Sequence, residues 1–207
     1  NKMHLKRHKS PKNWPIKRKG TKYVVRSNFS INEGVPVLIF LRDMLNLAKN
    51  RKEVKKVLHE KQVLLNGKVA KDEKNNVSLF DIVTVIPTNK NYKLCLSELG
   101  KFKFEEVNSQ EAHGKIAKII GKKILSGKKI QVNLKDGNNF LYSGKFNIND
   151  SAFYGFKDKK ISKILPLKEK AKVTVYAGKH TGKEGLIEKI DNNKKMVELK
   201  TDESKIN

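Results

Sequence analysis

The sequence predicts a multi-domain α+β protein: a small α+β domain of two helices plus a hairpin, a β-rich central domain, and a small β-barrel-like motif at the C-terminal end. Three observations carry this. Apolar residues recur at helical spacing between Pro36 and Lys61, an Asn-Gly pair separates two short apolar runs at 66–67, and from Asn91 onward short alternating stretches are punctuated by Gly, Asn and Asp. The expected divisions are a basic arm over 1–35, the α+β domain over 36–88, the central domain over 89–168 and the glycine-bearing segment over 169–207.

The arm is expected because residues 1–32 hold ten Lys or Arg and no acid. Pro11, Pro15 and Gly20 oppose a regular helix there, and Trp14 and Tyr23 offer flat surfaces that can pack on a base or on protein. From Pro36, which suits a first helical turn, "VLIFLRDMLNLAK" is apolar all round except where Arg42, Asn46 and Lys49 recur at i, i+4 and i+7. A second helix is expected from about Arg51 to Lys61. At ~100° per residue it gathers Val54, Val57 and Leu58 on one side and Lys52, Lys55, Lys56 and His59 on the other.

"QVLLNGKVAK" then reads as a hairpin, with Asn66-Gly67 as a type I′ turn because both residues tolerate positive φ. Asn66, Lys68 and Lys71 thereby become candidate contacts beside the lysine face of the preceding helix. A strand "DIVTVI" follows and stops at Pro87. In the central region "KIQVNL", "KDGNNF" and "YGFKD" give strands and turns, while "SQEAHGKIAKIIGKKI" reads as a short helix leading into a strand. The last segment has strand, glycine loop, strand, Asn192-Asn193 turn and strand.

Charge bounds the function. With 46 Lys+Arg against 21 Asp+Glu in 207 residues, the formal charge is +25, a self-repulsion that a polyanionic partner relieves. Nucleic acid is the first candidate and an acidic membrane the second. The longest apolar run, Val35 to Leu41, is far short of the roughly 20 residues that span a bilayer, and the basic N-terminus lacks an apolar core, so neither membrane span nor signal peptide is expected. The chain begins at Asn1 rather than Met, so residues upstream are expected. Cys95, the single cysteine, is expected as a buried, unreactive thiol in a reducing cytosol.

Enzyme signatures are not readable. In "GKKILSGKK" five residues separate Gly121 from Gly127 and Lys129 stands where a phosphate-binding loop needs Ser or Thr. The histidines His4, His8, His59, His113 and His180 lack partners at metal spacing. No nucleophile elbow is present, and no enzymatic activity, metal, cofactor or small-molecule substrate is expected.

"VLIFLRDMLNLAKNRKEVKKVLHEKQVLLNGKVAKD", Val37 to Asp72, resembles the RNA-binding domain shared by small-subunit ribosomal protein four, some pseudouridine synthases and certain stress proteins. The resemblance implies that two helices and the hairpin present Arg42, Arg51, Lys52, Lys55, Lys56, Asn66, Lys68 and Lys71 to structured RNA, and Lys49, on the polar side of the first helix, is a further candidate RNA contact. "HLKRHKSPKNWPIKRKG", His4 to Gly20, resembles the arm of the archaeal and eukaryotic four-e branch of that family, which implies RNA contacts at His4, Lys6, Arg7, Lys9, Lys12, Trp14, Lys17 and Arg18. "LFDIVTV" is similar to the same branch, because Phe80 stands where the general domain has Gly before Asp. "YAGKHTGKEGLIEKI", Tyr176 to Ile190, resembles a glycine motif of ribosomal and elongation proteins. It implies RNA contacts at Lys179 and Lys183 and structural roles for Gly178, Gly182 and Gly185, alongside Gly67 in the hairpin.

Two departures from the family pattern are visible: Ala177 replaces the first of a Gly-Gly pair, and Lys183 stands where Arg is common. The sequence stops at Asn207, before the family's last strand, so a terminal barrel that is incomplete or closed differently is expected. The implied function is a structural constituent of the small ribosomal subunit that binds and neutralises rRNA during assembly and translation, in the cytoplasm, beside neighbouring ribosomal proteins. The alternative is a free RNA-binding translation or transcription factor. An RNA-modifying enzyme is a third reading that lacks a catalytic domain, since "FLRDML" falls inside the first helix.

Overall fold

The computed structural model describes residues 4–191, 196–200 and 205–206. The chain divides into two compact units, residues 1–97 with 101–113, and residues 98–100 with 114–207.

In the first unit the basic arm is part of the core. A short ladder joins β1, Leu5–Lys6, to β2, Tyr23–Val24, with Leu5 opposite Val24. Arg7 organises the turn between them: its guanidinium donates to the Lys17 and Thr21 carbonyls and to Thr21 Oγ1 at 2.6–2.9 Å. Trp14 is 3% exposed and packs in the same cluster as Phe40, Val54 and Leu94. Its indole N–H donates to the Gly34 carbonyl at 2.8 Å and the Ile31 carbonyl at 3.2 Å, which satisfies the polar edge of a buried ring.

Next, β3, Gly34–Pro36, pairs with β6, Asn76–Ser78. α1, Val37–Ile39, continues directly into a π-helical turn, Phe40–Met44, where the Leu45 amide reaches back to the Phe40 carbonyl. Val37 to Leu41 are all buried, as a segment apolar on every side must be. The helix ends at Met44, and Asn46 takes the left-handed conformation at φ 54°. The expected polar stripe therefore does not exist: Arg42 is helical, while Asn46 and Lys49 lie beyond the helix end.

α2, Arg51–His59, is fixed at its start by an Asn50 N-cap and by Glu53 reaching back across it. Asn50 Oδ1 accepts from the Glu53 amide at 3.0 Å, and Glu53 accepts from the Lys49 amide at 2.7 Å. Val54 and Leu58 are buried and Val57 packs against the same core, as the helical period requires.

β4, Val63–Leu65, and β5, Lys68–Val69, form the hairpin; Asn66 and Gly67 have φ of 50° and 75°, the I′ signs. β7, Ile82–Val85, pairs with β4, then with β8, Lys90–Leu96, which pairs with β9, Phe102–Val107. The result is one five-stranded antiparallel sheet in the order β5-β4-β7-β8-β9. The division expected at residue 88 thus falls between two hydrogen-bonded strands, because Pro87 ends a strand without ending the sheet. Cys95 sits in this sheet, buried, with its thiol 3.4 Å from Glu105; burial, with the Glu105 carboxylate beside it, pushes the thiol up to about 11.

The first unit closes with a single helical turn, Glu111–His113, and the second opens with β10, Gly114–Ile124. β10 lies at the centre of a five-stranded sheet between β11, Ile130–Leu134, and β13, Ser151–Gly155, with β12, Asn139–Leu141, and β14, Ile161–Leu165, at the edges. The core is Ala117, Ile119, Val132, Leu134, Ala152 and Tyr154. A second sheet runs β15, Lys172–Thr174, β16, Glu184–Asp191, β17, Met196–Lys200, and β18, Lys205–Ile206. Among the described residues this sheet is open, with β15 and β18 as its edges, in line with the incomplete barrel expected from the sequence. The Asn192-Asn193 turn lies outside the described residues.

One buried ionic group anchors the β10 sheet. The Lys115 ammonium is 3.1 Å from Asp136, whose carboxylate also accepts from Tyr154 Oη at 2.5 Å and Asn138 Nδ2 at 3.1 Å. Burial works against ionisation of Asp136, yet Lys115 and these donors outweigh it and hold the carboxyl below its usual range. A depressed folded-state value means stability present above about pH 4 and lost as pH falls through that value. Lys115→Met leaves burial unopposed by charge, so the acid-induced fall in the urea midpoint, followed by far-UV circular dichroism, should begin about one pH unit or more higher. An unmoved acid limb would remove Lys115 from this role.

Candidate nucleic-acid interface

The face of α2 opposite Val54 and Leu58 carries Lys52, Lys55, Lys56 and His59, all exposed. Their nearest acids differ. Lys56 approaches Glu60 only at 3.9 Å, one turn on, a surface pair worth a few tenths of a kcal/mol, ~0.3–0.5, and screened by salt. Lys52 makes no ion pair among the described residues.

Arg51 and Lys55 have a structural task. Glu73 is 4% exposed, and Arg51 grips it through Nε at 2.9 Å and 3.0 Å and through Nη2, while Lys55 stands 3.9 Å away. The Glu73 contact holds the Arg51 guanidinium even further above its usual value. Arg51 is therefore a counter-charge to a buried carboxylate, with 55% of its side chain still exposed. Nothing in the sequence singles out Glu73, which sits as one acid among lysines in "KDEK"; only its burial distinguishes it. Arg42 is bound bidentately by its neighbour Asp43 at 2.8 Å and 3.1 Å.

At the hairpin, Lys68 and Lys71 are exposed. Asn66 is occupied internally: Nδ2 donates to Asp81 at 2.9 Å and Oδ1 accepts from the Ile82 amide at 3.0 Å. That clamp ties the turn to the start of β7, so the Asn66 side chain is spent on the fold rather than offered to a ribose. Phe80 lies beside it at φ 64°, the left-handed conformation that explains why glycine suits this position in the general domain.

In the arm, His4, Lys6, Lys9, Lys12, Lys17 and Arg18 are exposed. Trp14 is buried, and the half-exposed Arg7 guanidinium is hydrogen-bonded to local carbonyls. Sequence reading could not separate these two because the same residue types serve either purpose.

In the second unit, Lys179 is exposed and Lys183 half-buried in the loop joining β15 to β16. Gly178 and Gly182 have φ of 97° and 91°, and the Gly182 amide donates to the Val175 carbonyl at 2.7 Å, closing the loop. Gly185 lies in β16 opposite Val173 and needs no left-handed backbone. Among the described residues no His, Cys, Asp and Glu gather as a metal site, and no helix is long and apolar enough to cross a membrane.

Known proteins share both the sequence and the fold. A family model described as Ribosomal family S4e matches residues 88–161, and one described as RS4NT (NUC023) domain matches residues 1–28. Small ribosomal subunit protein eS4 of Methanocella arvoryzae is 38% identical over 90% of this chain and 80% of its own length. Its counterpart in Nanoarchaeum equitans is 35% identical over 91% of this chain and 82% of its own. The crystal structure of the 30S ribosomal protein S4e from Thermoplasma acidophilum is similar in fold, with a TM-score of 0.70 at 24% identity over 83% of this chain and 89% of that one.

Proposed function

The chain belongs to the S4e family of ribosomal proteins, and from that premise we propose that it is a structural constituent of the small ribosomal subunit, gripping rRNA through the lysine face of α2 and the adjoining hairpin. The observation that carries the placement is the exposed run Lys52, Lys55, Lys56 on a helix whose other side is locked into the core. Phosphate contacts from lysines fix register and orientation, while the shape of the RNA supplies specificity. The helix, the hairpin and the sheet of the first unit act as one RNA-binding domain, with the arm's exposed lysines extending its reach. Its partners are small-subunit rRNA and neighbouring ribosomal proteins, and its place is the cytoplasmic ribosome. The role is positional, with no bond made or broken.

Sucrose-gradient fractionation with crosslinking to RNA tests this. Stable co-migration with small subunits is the expected outcome, and a purely soluble pool would favour a free RNA-binding factor instead. Binding of the isolated protein to rRNA should weaken about 10³- to 10⁵-fold between roughly 50 and 200 mM salt if six to ten phosphates are neutralised, by analogy with duplex DNA. A flat salt response would contradict the phosphate-based grip.

A further inference from the structure

The arm and neighbouring segments of the first unit line a groove of about 940 Å³ that reaches Arg51 at the start of α2. Five cations line it, Arg7, Arg26, Arg42, Arg51 and Lys74, and no carboxylate does. Its size is at the upper end of the roughly 300–1,000 Å³ of ligand-sized clefts. Three of the arginines are committed, Arg7 to carbonyls, Arg42 to Asp43 and Arg51 to Glu73. Arg26 makes no ion pair among the described residues.

Tyr23 stands in the wall of this groove, 50% exposed, with the His4 ring 5.6 Å away at 52° and the Lys22 ammonium 5.6 Å from its own centroid. A concave site cannot admit an intact RNA duplex, whose bases are stacked inside. It fits a single splayed nucleotide: a base has a π-face for Tyr23, and its phosphate is planar-fork chemistry for Arg26.

We propose that this groove takes one unpaired nucleotide of a bulge or loop, its base stacked against Tyr23 and its phosphate held by Arg26 and Lys74. The proposal rests on the rRNA-binding reading above and adds to it a site selective for unstacked RNA. The α2 face neutralises backbone of any paired segment, whereas the groove distinguishes RNA that can extrude a base.

The full-length protein is titrated with a blunt RNA duplex, the same duplex carrying a one-nucleotide bulge, and adenosine monophosphate. Wild type should bind the bulged RNA about tenfold more tightly than the blunt one, the scale of one base–aromatic stack. Tyr23→Leu and Arg26→Ala should each erase most of that preference while leaving blunt-duplex binding in place, and Tyr23→Phe should keep it. A melting curve confirms folding of each variant. Independently of any variant, 4-thiouridine at the bulge of the wild-type complex should crosslink within residues 21–28.

Equal binding of bulged and blunt RNA, or crosslinks mapping elsewhere, would overturn the groove and leave the α2 reading standing. Failure of wild type to bind either RNA would sink the α2 reading itself. Adenosine monophosphate matching the bulged RNA in affinity, with the same Tyr23 dependence, would overturn the RNA assignment in favour of a free nucleotide.

Discussion

Trp14→Ala is expected to destabilise the first unit by about 4 kcal/mol, within the 3–5 typical of a buried large aromatic cut to alanine. The side chain is 3% exposed and shares a cluster with Leu5, Phe40 and Val54, so its removal opens a cavity that rigid neighbours fill only in part. The Gly34 and Ile31 carbonyls are also deprived of the donor they share. Calorimetry or far-UV circular dichroism should show a melting temperature roughly 10–20 °C lower. Trp14→Phe separates the two causes: it keeps most of the apolar volume and removes only the N–H, for about 1–2 kcal/mol. If the arm were an unfolded tail, both variants would fall within about 0.5 kcal/mol of wild type, as surface changes do. That result would refute the packed arm.

The second large effect is on RNA. Lys52→Glu, Lys56→Glu and Lys68→Glu together should weaken rRNA binding about 100-fold, at about 1 kcal/mol for each lysine–phosphate pair removed. They should also lower the slope of log affinity against log salt by about three. Lys55 is left in place because it stands 3.9 Å from Glu73, and a glutamate there would set two carboxylates against each other in a nearly buried site. The three chosen lysines are exposed, so the melting temperature should stay within a few degrees. Retained affinity with an unchanged melting temperature would move the RNA-binding surface away from α2.

Much of the first unit is legible in the sequence. The Asn66-Gly67 turn, the start of α2 and the inward Val54 and Leu58 all follow from local rules: positive φ, capping and helical period. The first helix reads too long because its apolar run continues through Leu47, although a left-handed Asn46 ends it. Composition rightly marks the arm as basic, yet cannot tell that Trp14 is buried and that Arg7 braces local carbonyls. Spacing finds the lysine face, but neither spacing nor resemblance shows that Arg51 also grips the buried Glu73 or that Asn66 also clamps Asp81 and the Ile82 amide.

By itself the sequence determined the charge, the local turns and caps, the helical and strand periods, and through them the kind of partner this protein suits. Each of those depends on residues a few positions apart, and a +25 chain repels itself whatever its fold. Only the tertiary structure decided which cations face outward. Whether an arginine meets a phosphate or a buried carboxylate depends on an acid 22 residues away, as Arg51 and Glu73 show. Burial, which sets the cost of an unpaired charge, is a property of the packed chain and not of its spacing.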